Sequence, residues 1–146
     1  VKTAREFLSH PFQLVGKVIK GDQIGRKIGF PTANIFVEEE YKLIPADGIY
    51  AVQIALLQDS EGGTKTEVPL ALKGMAYIGN RPTLNGMKRN IEVHIFDFDV
   101  NIYDQFIRIS FLHFVRNDQK FISLQALQSQ LLKDQKVTKK LLFGRV

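Results

Sequence analysis

The sequence predicts a mainly β fold, in which an antiparallel sheet closes, or nearly closes, into a barrel and a C-terminal amphipathic helix lies against it. Two observations predict this fold. Apolar and polar residues alternate through the middle of the chain, as in half-buried strands, and the apolar period becomes three and four residues only near the C-terminus. Several short strands followed by one helix are typical of such a barrel.

Five segments carry the strand pattern, and turn signals separate them. They are residues 14–20, 48–57, 68–78, 90–99 and 106–115. The turn at residues 45–48 introduces the second segment, and residues 59–65 form a hairpin loop whose paired glycines can adopt positive φ. Residues 68–78 form one strand or two, whereas the stretch up to His10 has little strand or long helical pattern.

In the last two segments, alternation predicts which side chains face the core. Ile91, Val93 and Ile95 share one face of their strand, and Glu92 and His94 lie on the other. In the next segment the apolar face comprises residues 107, 109, 111 and 115. Each of these strands therefore has one face suited to burial.

The apolar period changes after residue 122. Leu124, Leu127 and Leu131 are spaced three and four apart, and Ser123 is placed to cap a helix N-terminus. This pattern predicts one amphipathic helix that ends in a lysine-rich tail.

Length and composition narrow the function classes. A chain of 146 residues can bury one core, so we expect residues 1–146 to form a single domain. Because the chain starts with Val1 and not Met, we expect residues 1–12 to be a linker left from a longer polypeptide. The sequence contains no cysteine, which excludes disulfides, thiolate zinc ligands and a cysteine nucleophile, and fits a cytoplasmic protein.

Hydropathy and charge bear on possible partners. No apolar run approaches the roughly 18 residues that a membrane span needs, so we expect no membrane association. The net charge of +5 fits an anionic partner, such as nucleic acid or nucleotide phosphates, and equally a general solubilising charge.

The densest candidate site is the run GKVIKGDQIGRKIGFPTAN at residues 16–34. Gly21, Gly25 and Gly29 recur every four residues, with Arg26 and Lys27 between them. Glycines let a backbone approach a phosphate and present N–H groups to it, and adjacent cations offset the phosphate charge. The run is not a Walker A loop, because no Gly-Lys-Ser/Thr ends it. By itself it is also compatible with a flexible loop between strands.

The end of this run contains oxygen ligands on a stiffened backbone. Pro31 fixes its own φ and pushes Phe30 toward extended geometry. In an extended segment Thr32 and Asn34 point to the same face, and their oxygens are of the kind that Mg²⁺ accepts. The alternative is a polar turn capped by these two side chains.

Taken together, the motif GxVxxGxxxGRxxGFPTAN is similar to the signature of riboflavin kinases, including the C-terminal module of bacterial bifunctional FAD synthetases. Further motifs follow in family order: PADGIY at 45–50, IGNRPT at 78–83, EVHIFDF at 92–98 and RNDQKFISL at 116–124. The resemblance implies a six-stranded Greek-key barrel that transfers the γ-phosphoryl group of ATP to riboflavin, giving FMN and ADP. It also implies an N-terminal FMN adenylyltransferase module elsewhere in the same polypeptide.

The resemblance assigns the catalytic and metal-binding residues. It aligns Glu92 with the family's catalytic glutamate, a general base that accepts the proton of the ribityl hydroxyl. By strand pattern alone, Glu92 would be a solvent-facing glutamate. Thr32 and Asn34 correspond to the family's Mg²⁺ ligands, and we expect His94 to play a supporting polar role.

The resemblance also assigns two substrate sites. The ATP side comprises Gly21, Gly25, Arg26, Lys27, Gly29, Pro31, Arg81, Asp97 and Phe98. Arg81 either approaches the phosphates or braces a turn. The flavin side comprises Arg116, Asp118, Phe121 and Leu124. Phe121 and Leu124 could instead be ordinary helix packing, which is the role we expect for Leu127 and Leu131.

Two positions depart from the family pattern, and two other functions remain open. Asp104 stands where glycine is usual, and Asn117 stands where an acidic residue often follows the flavin-side arginine. A nucleic-acid-binding β-barrel is the main alternative, although it leaves the PTAN motif unexplained and we expect no nucleic acid partner. The third possibility is a flavin-sensing module without catalysis.

Overall fold

The computed structural model describes residues 7–19, 29–37, 45–83, 86–98 and 101–143. Within these ranges the chain forms strands β1 (Phe7–Ile19), β2 (Ala33–Phe36), β3 (Gly48–Asp59), β4 (Lys65–Glu67), β5 (Leu72–Thr83), β6 (Gly86–Ile95) and β7 (Phe106–Arg116), followed by helix α1 (Leu124–Phe143). The helix found in this part of the chain is not long and apolar enough to cross a membrane.

Six of the strands close into a barrel. The order around it is β3, β5, β6, β2, β1 and β7, and a further pairing of β7 with β3 completes the ring. Every pairing is antiparallel, and the short strand β4 adds to the end of β3 outside the ring. The predicted closed six-stranded barrel with a C-terminal helix is therefore confirmed.

The first strand begins earlier than the sequence indicates. Residues 7–12 were expected to belong to a linker, but they lie in β1, where Phe7 pairs with His113. The register shifts between Phe7 and Phe12, and Pro11 lies within that irregular stretch. Proline has no N–H for a ladder hydrogen bond, so it is tolerated at such a bulge, and it also interrupts the local strand pattern.

The strand that contains Glu92 is displaced from its predicted bounds. It begins at Gly86, not at residue 90, and it ends at Ile95 because the chain turns at Phe96 and Asp97. Asp97 has a φ of 53°, in the left-handed region that ends a strand.

The barrel interior is filled by apolar side chains from all six strands of the ring. At its centre the rings of Tyr50 and Phe111 pack edge to face, with centroids 5.3 Å apart. The prediction that Val115 shares the face of Phe111 is wrong. Irregularities in the pairing of β7 with β3 turn Phe114 toward the interior, and Val115 packs outside it with Val137 and Leu141 of α1.

Helix α1 packs against the outer surface of β3, β5 and β7. Ser123 caps its N-terminus as predicted, since its hydroxyl accepts a hydrogen bond from the backbone N–H of Ala126 at 3.0 Å. On the buried side of the helix, Asp134 is 2% exposed and forms an ion pair with Arg116 of β7, with Nη2 and Oδ2 2.9 Å apart. This pair ties the helix to the barrel beside the end of β7.

Candidate active site

The candidate site lies on the outer face of the barrel, around Glu92 in the middle of β6. Strand pairing places Asn34 of β2 on one side of Glu92 and Tyr77 of β5 on the other. Residues directly opposite each other in antiparallel strands project to the same face, so the three side chains form a row across the sheet. The predicted burial of Ile91, Val93 and Ile95 and the opposite orientation of Glu92 are both observed.

Both carboxylate oxygens of Glu92 accept hydrogen bonds. Oε1 accepts from the hydroxyl of Thr32 at 2.9 Å, and Oε2 accepts from the side-chain amide of Asn90 at 2.7 Å. The carboxylate is therefore held in one orientation by two donors. Because the Thr32 hydroxyl donates its proton to Glu92, the lone pairs of its oxygen point elsewhere.

Asn34 lies beside this pair but is deeply buried. It is 5% exposed, and its backbone lies opposite Glu92 in the β2–β6 pairing. The structure thus brings Thr32, Asn34 and Glu92 together at the start of β2. The hydrogen bond between Thr32 and Glu92 links two residues that are 60 positions apart in the chain.

His94 supports the segment that carries Thr32. Its Nδ1 lies 2.7 Å from the carbonyl oxygen of Pro31, and because a carbonyl only accepts, Nδ1 carries the proton and donates it. The imidazole packs between the rings of Phe30 and Phe96, with centroids 5.3 and 5.7 Å away. Burial lowers the pKa of His94 from its ordinary value of 6.5, against the raising effect of the bond to Pro31, and the positive charge of Lys139 lowers it further.

A first cavity, called here the helix-side cavity, opens between Glu92 and helix α1. Its volume is about 290 Å³. Its lining is Phe30, Thr32, Ile49, Met75, Ala76, Tyr77, Glu92, His94, Arg116, Asp118, Gln119, Phe121, Leu127 and Leu131. Most of these residues are apolar or aromatic. The charged and polar ones come from two places in the chain, residues 32, 92 and 94 around β6 and residues 116, 118 and 119 at the end of β7. This is the usual lining for a flat, mainly apolar ligand with a polar edge.

The structure places three of the four predicted flavin-side residues at this cavity. Arg116, Asp118 and Phe121 line it, and the guanidinium of Arg116 stacks over the Phe121 ring at 5.6 Å. Leu124 does not line it and is 52% exposed, because it lies on the outer side of the first helical turn.

Leu127 and Leu131, which the sequence assigned to packing alone, are part of the cavity wall. Their helical spacing is the same for a core contact and for a cavity wall, so the sequence pattern could not separate the two roles. Tyr77 was missed for another reason, since its place beside Glu92 follows only from the pairing of β5 with β6.

A second cavity, called here the strand-side cavity, lies on the other side of Thr32. Its volume is about 250 Å³. It is lined by Val18, Pro31, Thr32, Ala33, Val93, Ile95, Phe98, Asn101, Ile102 and Tyr103. Thr32 borders both cavities, so a molecule in one would meet a molecule in the other beside the Thr32–Glu92 hydrogen bond.

The predicted ATP-side residues are distributed unevenly around this cavity. Pro31 and Phe98 line it, whereas Asp97 is exposed at the turn after β6 and does not. Gly29 has a φ of 87°, so glycine suits that position. Gly21, Gly25, Arg26 and Lys27 lie outside the described residues, as does the side chain of Arg81, whose backbone is part of β5.

The donor atoms around Thr32 fit a hard divalent cation. Among the described residues, no cluster of three or more His, Cys, Asp or Glu side chains could hold a metal ion. A hydroxyl oxygen with free lone pairs and an amide oxygen are neutral ligands, which suit Mg²⁺ when phosphate oxygens and waters complete its coordination.

Comparison with known proteins points to one family. A family model described as riboflavin kinase (Flavokinase) matches residues 8–142. The bifunctional riboflavin kinase/FMN adenylyltransferase of Haemophilus influenzae is 38% identical over 139 residues, which are 95% of this chain and 41% of the relative. The protein of the same description from Listeria monocytogenes is 39% identical over 140 residues, again 95% of this chain and 41% of the relative. The chain thus spans less than half the length of these relatives.

Solved structures with the same fold include two that differ in description. A protein of Streptococcus pneumoniae described as a macrolide-efflux protein is 33% identical, with a TM-score of 0.72 over 88% of this chain and 38% of that one. The riboflavin kinase of Trypanosoma brucei is 24% identical, with a TM-score of 0.60 over 94% of this chain and 81% of that one. The second likeness is evidence for the fold alone.

Proposed function

The chain belongs to the riboflavin kinase family, and we propose that it transfers the γ-phosphoryl group of ATP to the terminal ribityl hydroxyl of riboflavin, giving FMN and ADP. The observation that supports this most directly is the Thr32–Glu92 hydrogen bond of 2.9 Å at the junction of the two cavities. Phosphoryl transfer needs an acceptor hydroxyl, a base and a phosphate chain to meet at one point.

In this proposal the isoalloxazine ring occupies the helix-side cavity. Phe121, Leu127 and Leu131 contact its faces, and Arg116 and Asp118 lie near its polar edge. The ribityl chain then runs toward Glu92 at the other end of the same cavity. The triphosphate of ATP occupies the strand-side cavity, beside Pro31 and Thr32.

Glu92 orients the acceptor hydroxyl and removes its proton. As that proton moves to a Glu92 carboxylate oxygen, the ribityl oxygen forms a bond to the γ-phosphorus, and the bond from this phosphorus to the bridging oxygen breaks. ADP leaves with the electron pair of the broken bond. The two donors on Glu92 keep the carboxylate in place. Each carboxylate oxygen has two lone pairs and binds one donor, so a second lone pair can accept the substrate hydroxyl.

Thr32 and Asn34 are the residues that would hold Mg²⁺. When bound, the ion offsets the negative charge of the phosphate oxygens. We propose, on the basis of the sequence motif, that the glycine-rich run binds the phosphates together with Arg26 and Lys27. We also propose that the intact polypeptide carries an FMN adenylyltransferase module, as the two bifunctional relatives do.

The direct test is incubation of the protein with riboflavin, ATP and Mg²⁺, followed by chromatography for FMN. Formation of FMN and ADP in equal amounts is the expected result. Binding of riboflavin without FMN formation would identify a flavin-sensing module instead. Absence of both binding and turnover would overturn the proposal.

A further inference from the structure

Tyr77 connects the strand next to Glu92 with the loop that enters helix α1. It lies opposite Glu92 in the pairing of β5 with β6, and its ring lines the helix-side cavity. Its hydroxyl donates a hydrogen bond to Oδ2 of Asp118, 3.2 Å away and 41 positions later in the chain. The side chain therefore bridges the barrel and residues 117–123, called here the entry segment.

Asp118 uses its two carboxylate oxygens for different purposes. Oδ1 accepts from the backbone N–H of Gln119 at 2.8 Å, which shapes the entry segment itself, and Oδ2 accepts from Tyr77, which attaches the segment to the barrel. The segment has no helix or strand to hold it, and residues 117–120 are exposed. Nevertheless Asp118, Gln119 and Phe121 form one wall of the helix-side cavity. The position of that wall depends on how the segment is attached.

Gly79 makes room for this contact. It lies two residues after Tyr77 on the same face of β5, and the phenol ring extends over it. A Cβ atom at position 79 would lie 2.0 Å from the Tyr77 hydroxyl oxygen and 2.4 Å from Cζ, so any side chain there would displace the ring. The absence of a side chain at residue 79 thus lets the hydroxyl reach Asp118.

The Tyr77 hydroxyl remains a donor over the whole physiological pH range. Burial, followed by the negative charge of Asp118 and the hydrogen bond to it, raises the pKa of Tyr77 to about 12. A neutral phenol beside a carboxylate donates to it without competition from an ionised form.

We propose that Tyr77 is a positioning residue for the flavin substrate. Through its hydrogen bond to Asp118, it holds the entry segment in place as one wall of the helix-side cavity. The inference rests on the proposed function, because it takes the flavin to be the occupant of that cavity. It assigns Tyr77 no contact with the reacting atoms.

Three variants test the attachment. Tyr77→Phe removes only the hydroxyl, Asp118→Ala removes its acceptor, and Gly79→Ala displaces the ring. Each should raise the riboflavin Kd, measured by quenching of riboflavin fluorescence, about fivefold to tenfold, the effect of one ordinary hydrogen bond. The KM for riboflavin should rise by the same factor, whereas the KM for ATP should not change.

The double variant Tyr77→Phe/Asp118→Ala distinguishes an indirect effect from a direct one. If the two residues act as a unit, the riboflavin Kd of the double variant is no higher than the higher of the two single-variant Kd values. The proposal is overturned if the Kd of the double variant rises by the product of the two single increases. It is also overturned if Tyr77→Phe raises the Kd and Asp118→Ala does not. Either result would mean that the hydroxyl contacts the flavin itself. Tyr50→Phe is the matched control: its hydroxyl donates to the carbonyl of Ala46 at 2.7 Å, and it lines neither cavity.

A second measurement needs no flavin. Lys120 is the only lysine of the entry segment, so the rate at which endoproteinase Lys-C cleaves after it reports local opening. Tyr77→Phe should speed this cleavage about fivefold, and Tyr50→Phe should not change it. An unchanged rate overturns the attachment. A faster rate in a protein that makes no FMN and binds no riboflavin would overturn the proposed function while the attachment itself holds.

Discussion

Replacement of Glu92 by glutamine changes one atom of the candidate base and keeps its shape. Glutamine offers one acceptor oxygen and an NH₂ group where glutamate offers two acceptors. The amide of Asn90 donates to Oε2, and if it keeps that orientation the glutamine carbonyl faces Asn90, which avoids two opposed donors. Its NH₂ group then faces Thr32, and the Thr32 hydroxyl must rotate and accept where it formerly donated.

This exchange has two consequences for the proposed reaction. The acceptor hydroxyl loses its base, which is worth about 10²–10⁴ in rate. A lone pair of Thr32 becomes engaged with the glutamine and is lost to the proposed metal site. We therefore expect kcat to fall at least about a hundredfold, which corresponds to about 2.7 kcal/mol of activation free energy.

The fold should survive the same change. Both polar contacts of residue 92 can be re-formed, so the free energy of unfolding should fall by only about 1 kcal/mol. For a chain of this size that corresponds to a Tm lower by about 2–4 °C. FMN formation at saturating riboflavin and ATP measures the first effect, and thermal melting followed by circular dichroism measures the second.

Glu67→Gln provides the control, because Glu67 pairs with Arg108 on the barrel surface and lines neither cavity. It should leave kcat unchanged. Turnover of Glu92→Gln within tenfold of the wild type would remove Glu92 from the mechanism. A loss of Tm much larger than a few degrees would refute the hydrogen-bond exchange described above.

Three further predictions concern the surroundings of Glu92. Asn34→Ala should weaken the binding of Mg²⁺–ATP more than that of riboflavin, measured as separate Kd values, and an equal loss of both would point to a fold defect. Asp134→Ala should lower the free energy of unfolding in urea by about 3 kcal/mol, because it removes the carboxylate that pairs with the largely buried guanidinium of Arg116. A loss under about 1 kcal/mol would contradict a stabilising role for the pair. The pKa of His94 is lower in the folded protein than its ordinary 6.5, so as the pH falls the imidazole takes up its proton in the unfolded chain before it does so in the folded one. The stability that neutral His94 contributes is therefore present above pH 6.5. It is lost as the pH falls through the lowered pKa. His94→Gln should therefore show a smaller loss of Tm on acidification than the wild type, and equal losses would contradict the assignment.

Local patterns were sufficient for the barrel and for the side on which Glu92 lies. Alternation in β6 separates Glu92 and His94 from Ile91, Val93 and Ile95, because successive residues of a strand face opposite sides. The same rule failed at Val115, since the irregular pairing of β7 with β3 reverses the alternation beyond Phe111. A bulge in a strand depends on its partner strand, so the alternation within β7 does not reveal it.

Strand bounds were less accurate where proline or a turn breaks the pattern. Pro11 disrupts the alternation at the start of β1, yet the backbone there still pairs with β7. The turn at Phe96 and Asp97 ends β6 although the apolar pattern continues through it. At the start of β1 the pairing with a neighbouring strand prevailed over the local signal, and at the end of β6 the turn did.

The sequence by itself determined the fold class, the helix cap at Ser123 and the family, because each depends on residue types at short, fixed spacings. Only the tertiary structure decided that Thr32 donates to Glu92, that Arg116 pairs with Asp134 and that Tyr77 reaches Asp118. These contacts join residues that are distant in the chain, so they depend on the register of paired strands and on how the helix packs against the barrel. Neither of these is encoded in the local sequence around any one residue.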